Sequence, residues 1–574
     1  MRGIENGSAV AGRWRRWRGL AQGATLLVLA LGAGACSNEL PPYGEALIIV
    51  DTDAAAPRYV GRMRLDLYTS DGARWFESRD VPLRAPGNWP ASFSIYSTDP
   101  AHDHTTLVRV RIYPEGKVRD YHGERFTTKA PADKPSDDAI PARPVCDLAQ
   151  DCELPRLVQA GVDVTPSHEP QPYLAIDRLI RVRLRPGVRG SVRLTLRGAC
   201  FGTMADLAHQ QTCVDTDGTL TAAEDAAPAS DMSIPAPIPK DFGASVPCAA
   251  TATPRVGGKK LHDEELCVPG GTYVFGNPAN YDPGESSGVP ERWATIPPFY
   301  LDKYEVTVAR WRDALARGFK PPAPATVNNT SLQRDTCASV PAFSPLWCTY
   351  TAIARVPEDR ESYPLSCVSW DAARAFCQFE RGDLPTEAQW EYVAQALGRE
   401  EKTTYPWGPS PPTCLSKTTK DSMVFKRLFE CSGSWHQVGD CIPYPDAACG
   451  PGDGFQKNCG GNPVLNARQG PQSVDAADAD GGDRSVGLGV VNLGGGLQEY
   501  TQDSLRSLGT RCWAAASLVS PSCVDPSQSQ HTLRGDSWAG IGYDATVRRA
   551  LQTNAKESNL PEVGFRCTRP LEAP

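Results

Sequence analysis

Apolar runs long enough to span a bilayer are missing after residue 35, and a helix needs about 20 such residues. No C-x-x-C occurs among the 19 cysteines, which excludes a zinc ribbon and a thioredoxin-type site. Positive charge is in deficit: 59 Lys and Arg against 67 Asp and Glu leave a net charge of −8. Outside residues 13–18 no basic patch is large enough to hold phosphate, so nucleic acid is not an expected partner. No internal repeat is found. Asp215-Thr216-Asp217-Gly218 lacks the later ligands of an EF-hand loop and reads as a turn. His102-Asp103-His104 reads as an exposed loop between strands, not a metal site.

The first residues look like an export signal. Arg13-Trp14-Arg15-Arg16-Trp17-Arg18 precedes a short apolar run, Ala24–Ala35, and then Cys36. Small residues before a cysteine suggest a lipoprotein signal with Cys36 as the acylated N-terminus. Ala33 stands where Leu is usual, and Ala33-Gly34-Ala35 also fits ordinary cleavage. Ser37, not Asp, follows Cys36, so transfer to the outer membrane is expected. Without Cys36, 18 cysteines remain, an even number compatible with pairing in an oxidising compartment. The expected location is the bacterial envelope, through a lipid anchor.

Residues 1–35 are therefore read as signal and 36–44 as tether. Residues 45–205 are read as an all-β sandwich of seven or eight strands with a Pro-rich insertion. Met63, Leu65 and Leu67 alternate with Arg62, Arg64 and Asp66, and Val108, Val110 and Ile112 with Arg109 and Arg111, giving each strand one wet face. Ala46–Val50, Phe93–Tyr96, Leu179–Leu184 and Val192–Leu196 are further strands. The insertion, at about 129–170, carries Cys146 and Cys152. Residues 206–265, a Cys-containing stretch rich in Ala, Pro and Asp, read as a linker.

The most informative stretch is Pro364–Tyr392, P-L-S-C-V-S-W-D-A-A-R-A-F-C-Q-F-E-R-G-D-L-P-T-E-A-Q-W-E-Y. Taken physically it is a strand end, Val368 and Trp370, followed by two helices. Asp371 is a candidate cap for the first, whose apolar face is Ala372, Ala375, Phe376 and Phe379. Thr386 with Gln389 forms a capping box for the second. By itself the stretch is an ordinary core segment. In series with Pro269–Gly276, Phe299–Thr307, Tyr405–Gly408, Gly495–Thr501, Arg534–Trp538 and Val563–Cys567, it resembles the formylglycine-generating (sulfatase-modifying factor) family. The resemblance runs over about residues 266–569, within a domain read as 266–574. It implies a mixed α/β, C-type-lectin-like domain with little regular secondary structure.

Catalytic members hold copper between two cysteine thiolates placed just after the Arg-Gly-Gly-Ser-Trp-like motif. Those positions here are Gly540 and Ala545, and no cysteine lies between Cys523 and Cys567. Copper is not expected, and no catalytic residue is assigned. A second family disulfide is also missing, its positions falling near Ala394 and Ala550. The kept cysteines Cys377 and Cys567 imply one disulfide; Cys337–Cys348 and Cys512–Cys523 are local guesses. The family's calcium loop leaves Glu499 as a candidate calcium ligand, although Gly496 replaces its Asn. The acidic run Asp475, Asp478, Asp480 and Asp483 reads as a solvated loop, with calcium the alternative. Ser537, Trp538, Tyr543, Arg548 and Arg549 are candidate cleft residues for a protein, peptide or glycan ligand. The bland reading puts Trp538 in the core. A sulfoxide-synthase relative is disfavoured, because only His436 and His531 lie well inside the module. The expected function is a non-catalytic binding or scaffolding module, the periplasmic siderophore-maturation and lectin-like branches fitting best. The alternative is a protein-modifying oxidoreductase with a non-copper mechanism.

Overall fold

Period-two patterning builds the first half of the chain. A computed structural model of the protein describes residues 43–571, except 98, 100, 122–155, 216–217, 249–252, 255–260, 277–290, 324–347, 351–359, 399–401, 415–421, 425–470, 477–481, 507, 515, 539–549 and 555–559. Eight strands make two sheets: β1 (Glu45–Thr52), β2 (Arg62–Thr69), β3 (Trp75–Pro82), β4 (Ala91–Tyr96), β5 (His104–Tyr113), β6 (Ile176–Leu184), β7 (Arg189–Leu196) and β8 (Glu224–Ala226). The smaller sheet has the order β7-β1-β4 and the larger β8-β6-β5-β2-β3. β1 runs parallel to β7 and antiparallel to β4, with Glu45 opposite both Arg189 and Tyr96. The apolar residues of both sheets, among them Ile48, Val50, Leu65, Val110, Ile180 and Leu194, form one core. That clustering is what alternating apolar and polar positions require.

The other face of the larger sheet is not wet. Asp66 and Asp177 are fully buried and pair with Arg111 and Arg109. A second cluster, with Tyr68, Trp75, Leu107, Tyr121 and Leu179, covers that face. Alternation located the inward positions; it could not show that the charged face is also covered.

Residues 206–265, read as a linker, carry structure along the first unit. A short ladder pairs Gln211–Cys213 with Leu220–Ala222, and β8 then joins the larger sheet beside β6. Lys240 reaches Asp51 at 2.5 Å, and Phe242 packs on Tyr59. Composition alone does not distinguish a free linker from a segment that follows a sheet edge.

The second unit begins with β9 (Glu264–Val268), β10 (Gly271–Phe275), β11 (Arg292–Ile296) and β12 (Phe299–Asp302). Three helices follow: α1 (Val308–Ala316), α2 (Trp370–Phe379) and α3 (Glu387–Ala394). The last strands are β13 (Gln498–Ser504), β14 (Gln530–Arg534), β15 (Ala550–Asn554), β16 (Val563–Gly564) and β17 (Thr568–Pro570). One sheet has the order β15-β14-β13-β16; in another, β12 lies between β9 and β17. Ser369, not Asp371, caps α2, its hydroxyl accepting from the Ala372 N–H, while Asp371 sits in the first turn. Ser is as good a cap as Asp, and its position two residues earlier, just before the first helical residue, decides. Thr386 and Gln389 form the expected capping box on α3.

Cys377–Cys567 ties α2 to the residue before β17, and Cys512–Cys523 also forms. The guess Cys337–Cys348 is corrected: Cys348 pairs with Cys367, Cα atoms 5.5 Å apart. Hydrogen bonds between Thr349 and Ser366 align the two segments that carry them. Cys200–Cys213 and Cys248–Cys267 complete the described bonds. The two units share packing, since Trp293 of β11 lies against Tyr59 and Phe201 of the first core. Among the described residues no helix is long and apolar enough to cross a membrane.

Candidate functional site

Helix α3 presents Glu387 and Glu391 one turn apart, so both carboxylates lie on one face. Arg534, at the end of β14, bridges them: Nη1 donates to Glu387 at 3.1 Å and Nη2 to Glu391 at 2.7 Å. Its guanidinium lies over the Trp390 ring, 5.1 Å from the centroid. Trp390 Nε1 donates to Glu499 at 3.0 Å. Arg566 Nε lies 2.8 and 2.7 Å from the two Glu499 oxygens, and its other nitrogens donate to the carbonyls of Asp302, Lys303 and Val491. This array is buried, and it joins α3, β13, β14 and the segment between β16 and β17. Removing one partner of such a pair strands the other charge in a dry interior.

Two further carboxyls are placed by the same loops. Glu305 accepts from Asn492 Nδ2 at 2.9 Å and from the Leu497 N–H at 2.7 Å. Burial, and then the charge of Glu499, push it up to about 8. Gly496 has φ +83°, and a Cβ there would lie 2.6 Å from Glu305 Oε1. The glycine at the family's Asn position is thus required by the turn and by the approach of Glu305. Asp483 accepts from the N–H groups of Gly494 and Gly495, and burial raises it to about 7.

The cleft candidates separate. Trp538 is fully buried, its backbone N–H donating to Gly496 O and its Nε1 to Pro561 O at 3.0 Å. It is a core residue here and presents no ring face to a ligand, so its reading as a binding anchor is corrected. Ser537 is also buried, its N–H on Asp536 Oδ1 at 2.8 Å. Tyr543, Arg548 and Arg549 lie outside the described residues, as do Gly540 and Ala545.

Sequence reasoning missed Glu562, and it named His531 only as one of two histidines well inside the module. Burial, then the charge of Asp536, raise Glu562 to about 7. His531 stacks on Trp370, ring centroids 3.6 Å apart, and burial lowers it to about 4. Neither carries a pattern signal: His531 lies on β14 against α2, and Glu562 lies just before β16, its carbonyl accepting from the Gln498 N–H.

Metal chemistry can be tested on the donors present. The cysteines flanking the copper positions, Cys523 and Cys567, are each held in a disulfide, so neither offers a thiolate. The residues do not fit a two-thiolate copper centre. Glu499 does not fit a calcium ligand either, because a buried guanidinium already occupies both of its oxygens. In the acidic run, Asp475 faces His262 at 3.3 Å and Asp483 turns inward; Asp478 and Asp480 lie outside the described residues. No group of three or more His, Cys, Asp or Glu is placed to hold a metal among the described residues.

The chain is similar to the formylglycine-generating enzyme of Thermomonospora curvata, 27% identical over 331 residues, 55% of this chain and 96% of that protein. It is 27% identical over 320 residues to the inactive C-alpha-formylglycine-generating enzyme 2 of Mus musculus, covering 52% of this chain and 83% of that one. A solved structure of PvdO from Pseudomonas aeruginosa aligns with 56% of this chain and 98% of its own, at 16% identity and a TM-score of 0.33. The model of the sulfatase-modifying factor enzyme 1-like domain matches residues 252–571, more than half of the chain. The chain belongs to the sulfatase-modifying factor (formylglycine-generating enzyme) family.

Proposed function

We propose that this protein is an exported, lipid-anchored envelope protein whose family domain binds or scaffolds a partner and does not oxidise cysteine through copper. One observation carries the reading: the cysteines on either side of the copper positions are both in disulfides, and none lies between them. Two soft sulfurs close together are what Cu(I) chemistry requires. Inactive relatives within the family support a non-catalytic role. The buried array around Arg534 and Arg566 keeps the family scaffold in place without that chemistry. We read the two N-terminal sheets as a sandwich that stands between the anchor and the family domain.

The test is direct. Purified protein is incubated with Cu(I) and a C-x-P-x-R peptide, the type that catalytic relatives accept, and formylglycine is measured by mass spectrometry. The expected result is none above a no-enzyme control. Copper-dependent product would overturn the proposal.

A further inference from the structure

A cleft of about 480 Å³ opens between the two sheets of the first unit. Its floor is apolar: Leu65, Leu67, Phe76, Phe93 and Ile95. Phe93 through Ser97, five consecutive residues around the end of β4, line it. Neighbouring strand residues point to opposite faces, so a run of consecutive lining residues means that the cleft follows the strand's edge. At about 3.3 Å per residue, that edge is about 16 Å long.

The two strands flanking the cleft differ. β3 is an outer strand with its edge blunted: Glu77, Arg79 and Asp80 are charged, Trp75 Nε1 donates to Glu77 O, and Gln159 Nε2 lies 3.5 Å from Phe76 O. β4 is the outer strand of the other sheet and reads Ala-Ser-Phe-Ser-Ile-Tyr, without charge, proline or bulge. Every second residue of β4 turns its N–H and C=O away from β1. Among the described residues nothing hydrogen-bonds to that outer edge. Natural sheets blunt such edges unless something pairs with them. No block of one charge sign lines the rim: Glu77 pairs with Arg79, and Asp99 lies 3.0 Å from His102 Nδ1.

We infer that this cleft is a strand-addition site: it takes an uncharged, extended peptide segment of a partner, which pairs with the edge of β4 and places large apolar side chains at alternate positions on the Phe76–Phe93 floor. Backbone bonds supply the affinity and the floor supplies the selectivity. The site is separate from the family domain and does not depend on whether that domain is catalytic.

The probe is a fluorescein-labelled, end-capped peptide Thr-Val-Thr-Phe-Thr-Val-Thr, titrated against the full chain by anisotropy. Two versions carry N-methyl groups on alternate amides, one set in each. Saturable binding is expected, weakened about tenfold by one methylation set and little by the other, since two lost backbone bonds correspond to about that factor. Phe93→Ala is expected to weaken binding at least about fivefold, with its melting curve showing that it is folded. No saturable binding to the wild-type chain would overturn the inference. So would equal effects of the two methylation sets, which would mean that the cleft takes apolar groups without strand pairing. A concentration-dependent dimer abolished by Phe93→Ala would also overturn it, by making a second copy the occupant.

Discussion

Glu305 is a carboxyl that the fold keeps protonated. Its folded value, about 8, lies above the ordinary carboxyl value of 4.5. The folded chain therefore holds a proton that the unfolded chain sheds between these values. Its contribution to stability is complete below pH 4.5 and is lost as pH rises through 8. Unfolding free energy from urea titrations should fall between pH 5 and 8, by up to about 1.4 kcal/mol per pH unit from this group. Glu305→Gln should flatten the slope; parallel slopes in the two proteins would count against this assignment. Trp538 makes a different prediction. Trp538→Ala should cost about 3–5 kcal/mol of stability, because it opens a cavity where a fully buried ring had been. A urea midpoint unchanged from wild type would show the side chain to be outside the core. The motif pointed to Trp538 but not to its depth, because its hydrogen-bond acceptors, the carbonyls of Pro561 and Gly496, come from other segments. Glu305 sits in a quoted motif, yet its proton depends on Glu499 and Asn492, far along the chain.

At the scale of elements, the helices were the most legible part. The box on α3 could be read from Thr386 and Gln389, because capping uses neighbours only. The cap of α2 was placed two residues late, on Asp371, because both Ser369 and Asp371 are good caps and only the chain's turn chooses between them. β1, β2 and β4–β7 were visible as alternating or aliphatic runs. β3, Trp-Phe-Glu-Ser-Arg-Asp-Val-Pro, was missed, because an edge strand rich in charge has no apolar alternation to detect. The short β8 gave no signal beyond its linker-like composition. Cys377–Cys567 was implied only by the family resemblance, and the structure forms it across 190 residues of sequence. Replacing both cysteines with Ala should lower stability by about 2–5 kcal/mol in denaturant titrations. A loss below about 1 kcal/mol would mean that β17 and Arg566 hold the C-terminal segment unaided.

At the scale of the whole molecule, the joint between the two units is built from contacts distant in sequence. Trp293 enters the first unit's core, Arg58 donates to Thr272 O at 3.0 Å, and Lys117 meets Glu291 at 2.5 Å. None of these pairs is near in sequence, so no local pattern could announce them. The anchor belongs to this scale as well. Cys36→Ser should move the protein from the membrane pellet to the soluble fraction, and unchanged pelleting would remove the lipid from the proposal. The placement of β17 has a consequence for the time course of synthesis. β12 is made early in the second unit, yet its neighbour β17 is made more than 260 residues later, together with Arg566 and Cys567. Until those residues emerge, Glu499 has no guanidinium, Cys377 no sulfur partner and β12 an open side. A ribosome that stalled at residue 560 would release a unit whose early strands and helices were all present and whose closure was missing, a species that proteases can tell from the finished one.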